Sequence, residues 1–218
     1  MKYLHWDEKK ISDFSPEKID SMYENGYVFT RIDKGVMHQT RSLRIDLSKF
    51  SPSSENRRIL KKVEDIVLSL KQLPLSDYDW TIGKLAKDFY DTKFESGIMS
   101  AQKIKEMLTE RGESNFNTLF CYEQSGKTIG YTIAYLDNNI LHYSYPFYNL
   151  SESPKDMGLG MMTKAIQYAK DNNIKYVYLG SLQRPNDTYK LQFEGIEWFD
   201  GKSWNSDISG IKDILDNK

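Results

Sequence analysis

Between Thr118 and Leu179 the chain changes its hydrophobic period twice, and few folds accept the order that results. The runs Thr118–Glu123, Thr128–Leu136 and Ile140–Tyr148 have strand length and composition, with turn residues Gln124-Ser-Gly126 and Asp137-Asn-Asn139 between them. Short turns join antiparallel neighbours, so these runs predict a three-stranded meander. The period then becomes helical over Leu159–Lys170, where Met162, Ile166 and Ala169 share one face, and Lys175–Leu179 reads as a short buried strand. Two helices are predicted ahead of the meander. One covers about Asp79–Tyr90, and the other runs from a Ser100 cap through Ile104, Met107 and Leu108 to Gly112.

The flanks are shorter in signal. Ser51-Pro52 opens a predicted long helix whose apolar set, Ile59, Val63, Ile66, Val67 and Leu70, occupies about a third of the helix circumference, with Pro74 as its stop. Residues 1–50 carry strand-like pieces at Tyr27–Arg31 and Ser42–Leu47, separated by the turn-prone Asp33-Lys-Gly35. The expected organisation is a small N-terminal, strand-rich β/α unit at 1–50 and a larger α/β domain at 51–218. Near the end, Trp198–Trp204 predicts a hairpin turning at Asp200-Gly201, and Ile208–Leu215 an amphipathic helix.

Charge excludes some partners. Thirty basic residues against thirty-one acidic ones leave no global field toward nucleic acid or membrane, so any such contact must come from a local patch. The densest basic stretch is Arg57, Arg58, Lys61 and Lys62, on the helix face opposite the apolar stripe, with Arg41, Arg44 and Lys49 just upstream. A solvated face explains it as readily as a phosphate backbone does, and Asp65 falls among the cations. The single cysteine, Cys121, lies in the apolar run Thr118–Tyr122, where a packed thiol is expected. The beginning of the chain has no apolar h-region and no stretch reaches the length of a membrane span, which sets the expectation of a cytoplasmic protein with no membrane partner.

The order of two helices, three antiparallel strands, glycine turn, helix and strand resembles an acyltransferase of the GNAT kind. In such a fold the meander leads into a strand whose end splays, and the next helix presents its N-terminus there. Free backbone N–H groups make that N-terminus an anion site, and glycines let the backbone approach a phosphate. Lys155-Asp-Met-Gly158-Leu-Gly160 stands at that place and resembles the pyrophosphate loop of the fold, with lysine in place of its Gln or Arg. A plain tight turn would need the same glycines. Beside it, Tyr143-Ser-Tyr-Pro-Phe-Tyr148 is dense in aromatics. Tyr145 and Tyr148 can donate hydrogen bonds, His142 titrates in the range of a general base, and all three are candidate catalytic residues as well as candidate core.

A closer resemblance follows. Asn25-Gly-Tyr-Val-Phe-Thr-Arg31, His38-Gln-Thr-Arg-Ser-Leu-Arg-Ile-Asp-Leu47 and Phe50-Ser-Pro-Ser-Ser-Glu-Asn-Arg-Arg-Ile-Leu-Lys-Lys62 resemble the N-terminal half of arginyl-tRNA–protein transferases. Tyr145-Pro-Phe-Tyr148, Met157-Gly158, Tyr176-Val-Tyr-Leu-Gly180 and Tyr189-Lys-Leu-Gln-Phe193 resemble that family's later blocks in the same order, so the likeness spans about residues 12–200. It implies a GNAT-like domain that moves an amino acid from its tRNA ester to the α-amino group of a protein or peptide, with aminoacyl-tRNA as co-substrate and no separate cofactor. It also implies that Lys155, Gly158, Gly160, Tyr189 and Lys190 bind substrate and that Arg41, Arg44, Arg57, Arg58, Lys61 and Lys62 meet tRNA. The chain departs from the family in lacking the paired N-terminal cysteines that bind a metal or cluster; where the second pair would lie it reads Thr40-Arg-Ser-Leu43. Asn149 replaces an aspartate, and Gly160 is closer to a CoA-binding loop.

An aminoacyl ester is already activated, so the chemistry needs an oriented amine, a proton acceptor and a donor to the developing oxyanion. The same needs fit acetyl-CoA. An acyl-CoA-dependent N-acetyltransferase and a catalytically inactive GNAT-like binding module therefore stand as alternatives. With one cysteine and the scattered histidines His5, His38 and His142, the N-terminal unit is predicted to fold without zinc or an iron–sulfur cluster. Elemental analysis after mild purification checks this, and near-stoichiometric metal would refute it.

Overall fold

The computed structural model describes residues 4–211. In chain order its first elements are strand β1 (Asp7–Lys10), helix α1 (Pro16–Glu24), and strands β2 (Tyr27–Phe29), β3 (Val36–Gln39) and β4 (Ser42–Asp46). Helix α2 (Ser54–Lys62), strand β5 (Val67–Gln72), helices α3 (Trp80–Lys93) and α4 (Ala101–Thr109), and strands β6 (Thr118–Gln124), β7 (Lys127–Leu136) and β8 (Ile140–Tyr148) follow. Helix α5 (Met157–Asp171), strand β9 (Tyr176–Ser181), a 3-10 segment (Pro185–Gln192), and strands β10 (Ile196–Phe199) and β11 (Trp204–Asn205) complete the described chain.

The residues group into two compact units. One comprises the chain up to Ser53, Asp137–His142 and everything from Ala169 onward; the other comprises Ser54–Leu136 and Tyr143–Tyr168. These units are discontinuous in sequence, because β8 and α5 each pass from one to the other. A domain boundary at residue 50 is a separate statement, about which segment folds alone, and it remains a proposal.

In the first unit β1, β3 and β2 form a small antiparallel sheet, with Tyr27 opposite Gln39 and Phe29 opposite Met37. The turn at Asp33–Gly35 joins β2 to β3, a strand that the sequence reading had not marked. Gly35 is needed there: its φ is +80°, and a Cβ would lie 2.2 Å from the carbonyl oxygen of Ile11. Strand β4 lies between β10 and β9, antiparallel to both, and β9 pairs in parallel with the start of β8 over Ile140–His142 and Tyr176–Tyr178. Helix α1 was not read from the sequence, although Pro16 in its first turn and buried Ile19, Met22 and Tyr23 mark an ordinary amphipathic helix. The hairpin of β10 and β11 forms as expected, with the Asp200 carboxylate accepting the N–H groups of Lys202 and Ser203. Of the expected C-terminal helix only residues up to 211 are described; the rest lies outside the described residues.

The second unit holds the meander, with strands in the order β8, β7, β6, β5. Ser125 (φ +52°) and Gly126 (φ +78°) make the β6–β7 turn, the doubly left-handed geometry whose twist suits a two-residue hairpin. Helices α3 and α4 begin at side-chain caps, Asp79 accepting from the Thr81 N–H and Ser100 from the Lys103 N–H. The long helix expected after Ser51 is corrected: α2 stops at Lys62, and Val67–Gln72 is strand β5. Val67 and Leu70 shared a helical stripe with Ile59 and Val63 on paper, but six paired residues, from Val67 opposite Glu123 to Gln72 opposite Thr118, add β5 to the meander. Short apolar runs satisfy either period, and an open sheet edge decides for the strand.

Helix α5 packs closely in this unit. A Cβ on Gly160 would sit 2.6 Å from Cγ1 of the fully buried Val63. Gly160→Ala is therefore predicted to lower the melting temperature despite alanine's better helix propensity, since overpacking costs about 1–3 kcal/mol. Adding Val63→Ala should recover part of the loss, giving a favourable coupling in a double-mutant cycle; additive effects would show that the contact is not tight.

Candidate functional site

Tyr148 ends β8, and its ring lies 4.8 Å from that of Phe89 on α3. It faces the opening of α5: a Cβ on Gly158 would come 3.4 Å from the ring and 3.5 Å from the hydroxyl oxygen. Gly130 makes room on the other side, since a Cβ there would meet Cβ of Tyr148 at 2.9 Å. A glycine in mid-strand is the signal by which sequence reading could have found Gly130. Phe89 carries no such signal. Tyr90 steadies the strand by donating its hydroxyl to the Pro146 carbonyl at 3.2 Å.

The first turn of α5 supplies the polar side. The Met157 N–H donates to the Pro154 carbonyl and the Gly160 N–H to that of Asp156, whereas the N–H groups of Gly158 and Leu159 have no backbone acceptor among the described residues. The Gly158 N–H faces the Tyr148 oxygen; burial raises the pKa of this phenol and the N–H opposes that rise. The phenol proton has no acceptor among the described residues, so the hydroxyl is oriented and still able to donate. Gly160 differs from Gly158, because its N–H is used and its α-carbon faces Val63.

The basic helix proves to be near this turn. Nζ of Lys62 lies 2.6 Å from Oδ2 of Asp156, two residues before Gly158, and Lys62, Lys155 and Arg58 together hold that carboxyl below its usual range. Asp156 itself has φ +70°. Nothing in the sequence announces a contact across 94 positions. Arg57, Arg58, Lys61 and Lys62 are all exposed, Arg58 pairing with Glu55, and Lys155 is exposed beside them.

The other expected site residues are placed differently. Tyr145 packs edge-on against Phe116, with ring centres 5.3 Å apart. His142 is a correction. It is buried in the first unit, sharing a 2.8 Å hydrogen bond with the Tyr23 hydroxyl, and burial, with help from the charge of Lys190, pushes its pKa down to about 3. A ring so enclosed is core. Arg44 is also corrected: it is buried between Glu24 and Glu197, each 2.8 Å away, and lies over the rings of Tyr176 and Trp204, so it cannot reach tRNA. Arg41 is buried as well and is no part of an exposed basic face. Lys190 is mostly buried, donating to the Ser181 carbonyl at 3.3 Å, with its pKa lowered by burial against the pull of Asp187. Tyr189 beside it is exposed.

The residues do not suit the metal that the cysteines of the family would hold. Thr40, Arg41, Ser42 and Leu43 occupy that stretch, and no group of three His, Cys, Asp or Glu side chains among the described residues could bind an ion. Cys121 is buried in β6 with its thiol pushed up to about 11 by burial. No helix among the described residues is long and apolar enough to cross a membrane.

A meander followed by a helix whose first turn faces the phenol that ends the third strand defines a GNAT-like acyltransferase domain. L-PGS from Bacillus licheniformis shares the fold, with a TM-score of 0.50 at 12% identity over 92% of this chain and 62% of that one. Residues 84–200, more than half the chain, match the family described as arginine-tRNA-protein transferase, C terminus, and the chain belongs to that family. Similar curated proteins are the aspartate/glutamate leucyltransferases of Pseudoalteromonas atlantica (strain T6c / ATCC BAA-1087) and Saccharophagus degradans (strain 2-40). The first is 23% identical over 73% of this chain and 67% of its own length, and the second 23% identical over 74% and 69%. The protein is thus an aminoacyl-tRNA-dependent transferase, with tRNA as substrate.

His142 also sets a pH dependence. Its pKa is about 3 in the fold against 6.5 without it, so between those values the unfolded chain binds the extra proton. Stability from this group is full above pH 6.5 and is lost as pH falls toward 3. Melting temperatures from pH 7 to pH 4 should fall less steeply in His142→Phe than in the parent; equal slopes would show that the ring is not held neutral.

Proposed function

We propose that this protein transfers a leucyl group from its tRNA ester to the α-amino group of a protein or peptide beginning with aspartate or glutamate. The observation that carries the reading is the Tyr148 hydroxyl, held over Gly158 at the N-terminus of α5, inside the stretch that matches the family. The names of the similar leucyltransferases support the donor and acceptor.

In this reading the acceptor nitrogen attacks the ester carbon. The C–N bond forms, the ester C–O bond breaks, and the ribose oxygen leaves with a proton. Tyr148 donates to the oxygen on which charge develops, and the α5 N-terminus adds its dipole. Lys155 and the N–H group of Leu159 receive the terminal phosphate or ribose, next to Gly158, whose own N–H points at the Tyr148 oxygen. Arg57, Arg58, Lys61 and Lys62 continue the cationic track along the donor, with Lys62 exchanging Asp156 for phosphate. Tyr145 is assigned to orienting the acceptor amine, Tyr189 to substrate binding, and Lys190 to a phosphate or a carboxylate of the acceptor. The acyl-CoA alternative rested on the Lys155–Gly160 stretch and on the lack of net basic charge; of these, Gly160 has a packing reason in Val63.

The test combines leucyl-tRNA or arginyl-tRNA, and separately acetyl-CoA, with peptides of defined N-terminus, read by intact mass. One added leucine on Asp- or Glu-peptides is expected. Acetylation would overturn the donor, and no product with any donor would favour the inactive module. Tyr148→Phe should slow transfer on the order of 10²-fold with little change in melting temperature. An active variant of lowered melting temperature would return Tyr148 to the core.

A further inference from the structure

Lys62 ends α2 and Asp156 immediately precedes α5, and both belong to the second unit. Their charged atoms are 2.6 Å apart, with 37% of the lysine side chain and 30% of the aspartate side chain exposed. Arg58 and Lys155 add to the positive charge around this carboxyl. Glu55 is a second carboxylate in the group, and Arg58 holds it within the same helix. Lys62 differs from Arg58 in that its anion comes from another element, 94 positions away.

The backbone holds Asp156 in place for this pairing. Its φ is +70°, a conformation that suits glycine better than a residue with a Cβ. Its carbonyl accepts the Gly160 N–H at 2.9 Å, which fixes the residue to the first turn of α5. Glycine would serve the turn at least as well, yet the chain places a carboxylate there, beside the lysine.

A resident carboxylate acts as a competing ligand. Any phosphate that uses Lys62 must displace it, and a dissolved monophosphate can do so only at its own concentration. A phosphate in a polynucleotide already held at other points is presented at an effective concentration on the order of millimolar. We propose that Asp156 is a specificity residue for the donor, a resident anion on Lys62 that a tRNA phosphate displaces and that weakens the binding of single phosphates. This rests on the cationic track proposed above.

Asp156→Asn tests it on the full chain, because asparagine keeps the shape of the side chain, tolerates the left-handed backbone and removes only the charge. Affinity for uncharged tRNA should rise about fivefold, the upper end for an ion pair of this exposure. Inorganic phosphate and adenosine monophosphate should compete against tRNA more strongly by a similar factor. The salt dependence of tRNA binding should steepen by about one in slope, because in the parent the released carboxylate takes up a cation again. In a Lys62→Met background the same substitution should lose most of these effects, and in either background the melting temperature should change little. Unchanged tRNA affinity and slope would overturn the inference. A gain that persists in full beside Lys62→Met would also overturn it, as an effect of net charge alone. So would a variant that melts lower and binds tRNA more weakly, which would make the pair a structural latch. If both substitutions act on tRNA binding as expected while no peptide is leucylated, the proposed activity fails and the role of the pair stands.

Discussion

The second unit depends on how closely helix α5 can approach its neighbours. Gly130 on β7 and Gly160 on α5 remove the side chains that would otherwise hold the helix away, and Val63, Tyr148 and the methionines of α5 fill the space. The Tyr122 hydroxyl, fully buried in β6, donates to the Met161 carbonyl at 3.0 Å and ties the helix to the meander. Only with the helix this near can the Gly158 N–H face the phenol of Tyr148. The candidate site is a by-product of tight packing, and its precision comes from a core in which a single methyl group matters.

The first unit shows how differently two cations can be treated. Arg44 is compensated on every side, and its hydrogen bonds to Glu24 and Glu197 link α1 to the β10 edge of the sheet. Such a pair contributes little net stability against a hydrophobic substitute, but breaking it leaves charges exposed to a low dielectric. Arg41 has no such partner among the described residues. The raised pKa of Arg44, on β4, beside the lowered one of Arg41, just before it, expresses the same physics.

Local chemistry made much of the fold readable. The capped starts of α3 and α4, the left-handed turn at Ser125-Gly126 and the three strands of the meander follow from residues within a few positions of each other. The stretch from Val63 to Gln72 did not, because its apolar spacing fits a helix and a strand alike, and pairing with β6, about fifty residues later, settles the matter. Candidate site residues divided along the same line. Tyr148 and Gly158 could be found from the aromatic strand and the glycine turn; His142, Tyr145 and Arg44 could not be sorted, since a histidine, tyrosine or arginine in a strand looks the same buried or exposed.

The sequence by itself determined the meander and the phenol-bearing strand ahead of a glycine-opened helix, which rest on short-range periodicity and turn chemistry, and the likeness of its motifs pointed to the family. Tertiary structure alone decided that Lys62 reaches Asp156, that Gly160 faces Val63 and that Arg41 is buried with no anion among the described residues. Burial and charge pairing depend on residues far away in the chain, and no local pattern encodes the distance between them.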